Sequence, residues 1–237
     1  MSCSGAPPSE EALKFHGLGQ QTDYAGMAAA SKVLFEKGDI EGAKAKLDSA
    51  ISGSPSLEKD AEISRLSGVL DSISDLRKKD KVAKLMRKIR KETDEMTGIT
   101  QYEDITSPKY VNRNGFYLRI VEDNKGGASM FLKIQYYADD WLFIQKYMVK
   151  ADEEVFEIVP IKMSTDNGDG MIWESCTITV NEDIYSNLLK IAQAKSTKIR
   201  FSGRQYYKDK VIPAAEIKAL NNMLELYSAM GLKPPKY

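Results

Sequence analysis

Apolar side chains recur at helical spacing in the first part of the chain and alternate in the second. From Ala25 to Glu36, the residues Ala28, Ala29, Val33 and Leu34 form one contact face, which predicts a helix. Lys37-Gly38-Asp39 interrupts it. A second helical pattern runs from Glu41 to Ser52 through Ala43, Leu47, Ala50 and Ile51, and Gly53 and Pro55 stop it. From Leu57 to Met96 there is no proline. Ile63, Leu66, Leu70 and Ile73 follow a three-four-three spacing, and Val82, Leu85 and Ile89 repeat it with a slip of phase near Arg77-Lys78-Lys79-Asp80. One long helix, kinked at the slip, or two consecutive helices satisfy this pattern.

Beyond Thr97-Gly98 the period becomes two, which predicts strands. They are Ile99 to Asp104, Phe116 to Glu122, Ser129 to Tyr137, Trp141 to Met148, Glu154 to Ile161, Met171 to Val180 and Thr197 to Ser202. The run Trp141 to Met148 is apolar on both sides, which suits an interior strand and makes it the expected centre of the domain. The turns Asn112-Arg113-Asn114-Gly115, Asp123-Asn124-Lys125-Gly126-Gly127 and Asp166-Asn167-Gly168-Asp169-Gly170 supply positive φ at little cost, and their shortness implies antiparallel neighbours. Asn181 can cap a helix opening with Glu182 and Asp183, and Pro213 suits the first turn of a last helix ending at Gly231. The fold class is α+β: an N-terminal α-helical hairpin and long helix, then a mostly antiparallel sheet domain with two helices. The segments are a tether (1–23), a helical part (24–97), an α+β domain (98–231) and a tail (232–237).

Composition narrows the chemistry. Lys+Arg and Asp+Glu are 34 each, and each half balances separately. That argues against nucleic acid as the main partner. No apolar run is long enough to cross a bilayer. Two cysteines, Cys3 and Cys176, and one histidine, His16, cannot form a disulfide framework, a four-ligand zinc site or a multi-histidine metal site. Cys176 lies in the alternating run Ile172, Glu174, Cys176, Ile178 and reads as a small buried hydrophobe. His16 lies in the leash, so a nucleophilic Cys–His pair is not expected. No phosphate loop or metal-protease helix is present. No cofactor and no metal are called for.

Three resemblances add to this. Met1-Ser2-Cys3-Ser4-Gly5-Ala6-Pro7-Pro8-Ser9 resembles the processing junction of a bacterial lipoprotein, in which the cysteine carries lipid and a small-residue leash follows. The apolar signal segment is not in the sequence. Either the sequence starts near the processing site, or this is an unstructured cytosolic terminus with a chance cysteine. Gly38-Asp39, Ala43, Leu47, Ala50 and Pro55 resemble one tetratricopeptide repeat, with Met27 in place of the usual large aromatic and Ser31 in place of the usual glycine. An ordinary alanine-rich hairpin fits equally. Residues 98–231 resemble a domain widespread on uncharacterised secreted or membrane-attached bacterial proteins. The words that carry this are Ser107-Pro108-Lys109-Tyr110, the run Gln135 to Ile144, Ile172-Trp173-Glu174 and Ile199 to Tyr207. That resemblance implies an envelope location and no reaction.

Residues 77–91 hold nine basic side chains against Asp80. Lys78, Lys81, Lys84, Arg87, Lys88 and Lys91 either form a basic helical face for anionic lipid or RNA, or a solvated surface neutralised by flanking acids. Asp139-Asp140 either binds a cation or performs acid–base work, or solvates a turn. The Asp166–Gly170 loop has the composition of a calcium loop without its ligand spacing. Arg200, Arg204, Tyr206, Tyr207, Lys208 and Lys210 interleave charge with rings. Gathered with Trp173, the residues Arg200, Arg204 and Tyr207 would make a ligand or peptide groove. The favoured reading is a non-catalytic binding or scaffold protein, lipid-anchored at the bacterial envelope, with a protein or peptide partner. The alternative is a cytosolic enzyme or regulator with a site between Asp139, Asp140 and the Arg200–Tyr207 rim.

Overall fold

The computed structural model describes residues 22–236, and the chain divides into two compact units between Lys78 and Lys79. Among the described residues the fold is α+β, with five α-helices and two antiparallel sheets.

In the first unit, α1 (Tyr24–Glu36) and α2 (Ile40–Gly53) pack as a hairpin. Each starts on an aspartate whose carboxylate accepts an orphan N–H of the first turn: Asp23 from Gly26 at 2.8 Å and Asp39 from Gly42 at 3.0 Å. Gly38 closes α1 in the left-handed region at φ 80°. The helices meet through small side chains. Ala28, Ala43 and Ala50 are buried, and the fully buried Ser31 hydroxyl donates to the Ala43 carbonyl at 2.7 Å. Leu47, Ile63 and Leu70 complete this core. A 3-10 turn (Pro55–Lys59) leads to α3 (Ala61–Met86), whose first amides are held by the Asp60 carboxylate.

Here the structure corrects two expectations. The long helix ends at Met86, not near Met96, and the units divide at Lys78, not at Thr97-Gly98. Ile63 and Leu70 belong to the core of the first unit, whereas Leu85 and Ile89 belong to that of the second. The phase slip near Arg77–Asp80 is therefore the point where the helix changes the core it serves. Ile89 is not helical: it is the first residue of a strand, β1 (Ile89–Thr93), and it joins Leu85 in the core of the second unit.

The second unit continues through β2 (Thr100–Asp104), β3 (Gly115–Glu122), β4 (Ala128–Ala138), β5 (Lys146–Ala151), β6 (Glu154–Ile158), β7 (Ser164–Gly168), β8 (Met171–Thr179), α4 (Glu182–Gln193), β9 (Thr197–Ser202), β10 (Tyr207–Val211) and α5 (Ala214–Ala229). One sheet has the order β1-β2-β3-β4-β8-β7 and the other β10-β9-β5-β6. Their inner faces share a core with the two helices. Phe201 of the second sheet meets Tyr136 of the first at 5.2 Å between ring centroids and Tyr147 at 5.8 Å. α5 covers β2 and β3, and its Glu216 carboxylate accepts the Phe116 N–H at 3.1 Å. Burial pushes the Glu216 carboxyl above the usual range. Asn181 caps α4 as expected, accepting from Ile184 N–H at 2.9 Å.

Three strands escaped the sequence pattern: β1, β7 and β10. All are edge strands, and β7 is exposed along its length. An edge strand has little apolar surface to hide, so charged and polar side chains are tolerated there. The Asp166–Gly170 segment is the end of β7 and a two-residue hairpin. Asp169 at φ 51° and Gly170 at φ 75° supply the left-handed pair such a turn needs.

Candidate functional site

The site is built around Glu174. Strand alternation on β8 turns Ile172, Glu174 and Cys176 toward the core, and Glu174 is completely buried. A buried carboxylate needs strong compensation. It accepts three consecutive amides: Leu142 N–H at 2.7 Å and Phe143 N–H at 2.9 Å on one oxygen, and Ile144 N–H at 2.7 Å on the other. Charge-assisted bonds of this kind outweigh ordinary ladder bonds, at roughly 1.5–3 kcal/mol each against about 1.

This arrangement overturns the expected central strand. In a strand successive N–H groups point in opposite directions, so three in a row cannot reach one carboxylate. Residues 141–145 curl instead, and pairing begins only at Lys146. Phe143 takes a left-handed conformation at φ 52°, which costs a non-glycine residue about 1–2 kcal/mol. Other ties fasten the loop to the β9–β10 turn. Gln145 N–H donates to the Ser202 carbonyl at 2.8 Å, and Arg204 N–H to that of Leu142 at 3.3 Å. Gly203 sits so close that a Cβ there would lie 1.9 Å from the Leu142 carbonyl oxygen.

The loop carries two stacked rings, Trp141 partly buried against the core and Phe143 at the surface. Trp141 and Phe143 are near-parallel, 15° apart with centroids 5.8 Å from each other, and Phe143 is 52% exposed. The Arg204 guanidinium lies 5.5 Å from the Phe143 centroid. Asp139 and Asp140 are exposed beside Trp141, and Asp140 accepts the Trp141 N–H at 2.8 Å. Among the described residues, neither these two acids nor Arg204 has an ion partner within 4.0 Å.

The outer face of the second sheet adjoins this end. Arg200 donates two bonds to Asp209, both at 2.7 Å, and its guanidinium stacks 3.9 Å from the centre of the Tyr207 ring. The pairing holds the Asp209 carboxyl below its usual range and the Arg200 guanidinium above its own. A depression of about 200 Å³ lies beside the pair, floored by Met148 and Val155. That is smaller than the roughly 300–1,000 Å³ typical of small-molecule sites.

The groove expected from Trp173, Arg200, Arg204 and Tyr207 does not form. Arg200 and Tyr207 meet, and Arg204 goes to Phe143. Trp173 pairs with Tyr137 and Asp166 on the first sheet, on the side away from Glu174 and the core. The sheets pack inner face to inner face, so Trp173 and Arg200 point to opposite surfaces. Among the described residues Asp139 and Asp140 make no ion pair with Arg200, which Asp209 engages.

The basic run is not one helical face. Lys78, Lys81 and Lys84 lie on α3, Arg87 and Lys88 in the turn after it, and Lys91 on β1 with its ammonium 5.6 Å from the Tyr102 ring centre. Asp75, Glu225 and Asp80 pair with Lys78, Lys81 and Lys84 at 3.8, 3.5 and 2.7 Å. Cys3 lies outside the described residues.

A second buried acid, Glu103, sits on the outer face of the first sheet between Arg90 and Arg119, with Arg119 Nε at 2.6 Å. Burial nearby pushes the Tyr117 phenol up and the Lys133 ammonium down. Each acceptor oxygen of Glu103 is met by a guanidinium, which makes it a structural ion cluster on this face. Sequence reasoning missed the role of Glu174. The available signal was an acid in the inward phase of an otherwise apolar alternation.

Comparison with protein-family models, with curated proteins and with solved structures finds no match for this chain. Its functional reading rests on its own residues.

Proposed function

We propose that this chain is a non-catalytic binding protein of the bacterial cell envelope, lipid-anchored through Cys3, with a protein or peptide partner. The recognition surface is the end of the second sheet where Trp141, Phe143 and Arg204 adjoin Arg200 and Tyr207. The α1–α2 hairpin, read as tetratricopeptide-like, is a further contact surface for a partner. The observation that carries the reading is the loop at residues 141–145. A buried carboxylate and three amides hold a stacked aromatic pair with Phe143 exposed, beside a guanidinium that has no ion partner among the described residues. Exposed aromatic and arginine side chains on a rigid support are the usual anchors of interfaces.

Selection of a displayed random-peptide library on the purified full chain tests the binding half. The expected outcome is a set of peptides whose affinity falls at least about tenfold in Phe143→Ala. Binders indifferent to Phe143→Ala and Arg204→Ala, or no binders, would refute it. Mass spectrometry of the native protein tests the anchor, and an unmodified Cys3 would remove it.

A further inference from the structure

We infer that the cavity between the two sheets, where β10 runs into α5, takes a small organic carboxylate with an apolar body of about benzoate size. The site shares no residue with the recognition surface around Phe143 and stands independently of it.

The place comes first. Phe116 lies at the start of β3, Ile199 and Phe201 lie on β9, and Ile212 and Pro213 join β10 to α5. These elements line a cavity of about 190 Å³. Phe116, Ile199 and Phe201 are all buried and supply its apolar lining. Three polar side chains line it as well: Asn114, Lys210 and Glu216. An apolar cavity with a few convergent polar groups is the usual build of a small-molecule site. The volume is below the roughly 300–1,000 Å³ of drug-sized sites, which limits the occupant to a single ring or a short branched chain.

The polar groups then decide its charge. Lys210 pairs directly opposite Ile199, and residues opposite each other in an antiparallel pair share a face. Lys210 therefore turns toward the gap between the sheets, and its ammonium lies 5.5 Å from the Tyr136 ring centre. Water answers an exposed lysine that has no acid beside it. Lys210 is instead half-buried, and burial pushes its ammonium below the usual range. Among the described residues no acid lies within 4.0 Å of it. A partly desolvated cation without a counter-charge is a cost that an anionic ligand removes.

Asn114 adds a neutral donor. Its Oδ1 accepts the Tyr137 N–H at 3.1 Å, which leaves its amide NH2 without a partner among the described residues. One oxygen of Glu216 already accepts the Phe116 N–H, and burial biases this carboxyl toward its neutral form. Two unmatched donors, one of them charged, thus line the cavity with one acid that is already engaged. That balance selects a carboxylate over an amine.

The test is ligand-observed NMR titration of the full chain with benzoate, benzylamine and benzyl alcohol, which share one ring and differ in charge. Benzoate is expected to saturate with a Kd of about 1 mM or below, at least about fivefold tighter than the other two. Lys210→Met should weaken benzoate at least about fivefold and leave benzyl alcohol within about twofold. That charge-selective loss is a readout a misfolded variant cannot give, and the three-ligand comparison on the parent chain needs no variant. Lys198→Met removes the same charge from the outer face of β9 and should leave benzoate unchanged. Glu216→Gln, which removes a like charge, should leave benzoate binding equal or tighter. Four results would each overturn the inference: benzylamine binding as tightly as benzoate, equal loss in Lys198→Met and Lys210→Met, weaker benzoate in Glu216→Gln, or no saturation by about 10 mM.

Discussion

Replacing Glu174 by glutamine removes one charge and almost no volume. Oε1 can continue to accept from Leu142 and Phe143. The new amide group then faces Ile144 N–H, a donor against a donor at a site with no water access. Two penalties follow. The surviving bonds lose charge assistance, about 1 kcal/mol in total, and a buried N–H is left unsatisfied, about 1–3 kcal/mol. The expected loss is about 2–4 kcal/mol. Trp141 and Trp173 are the only tryptophans and both lie in the second unit, so their fluorescence reports that unit within the full chain. With a urea slope near about 2 kcal/mol/M, the midpoint should fall by about 1–2 M. Glu174→Ala, which strips all three amides of their acceptor, should fall further. A glutamine variant within about 0.2 M of the parent, at unchanged slope, would refute the claim that this carboxylate holds the loop.

Further outcomes follow from the same structure. Gly203→Ala drives a methyl into the Leu142 carbonyl and should cost about 1–3 kcal/mol by urea unfolding; a neutral result would mean the loop and the turn are not in contact. Glu216→Gln should raise Tm near neutral pH, with an effect that vanishes as pH falls below about 4.5. Burial raises the folded carboxyl above its unfolded value, so the folded state disfavours its charge once both states are ionised, and the penalty disappears when both are protonated. A Tm gain independent of pH would contradict this. Leu47→Ala, at a site 1% exposed, should destabilise the helical unit by about 2–5 kcal/mol in far-ultraviolet circular dichroism. Tryptophan fluorescence of the second unit reports whether that loss stays local.

Local chemistry made much of this architecture legible in the sequence. Asn181 reads as a helix start because a short acceptor side chain satisfies an orphan amide where the chain turns into a helix, and Asp23 and Asp39, which the pattern did not single out, start α1 and α2 in the same way. The inward phases of β3, β4, β8 and β9 could be read from alternation alone, since a two-residue period leaves only one way to bury Leu118, Leu132 and Ile199 together. The break in phase near Lys78 was also visible, although its meaning as a change of core was not.

What the chain does between Trp141 and Gln145 was decided only in three dimensions. Its residues have strand propensity and alternate properly, but propensity is weak beside a buried carboxylate 30 residues away that demands three amides. The same holds for the separation of Trp173 from Arg200. Each side chain's phase follows from its own strand, but which surfaces they share depends on which faces of the two sheets pack together. The candidate site exists because a long-range charge requirement overrode a local preference, and no window of sequence contains both partners.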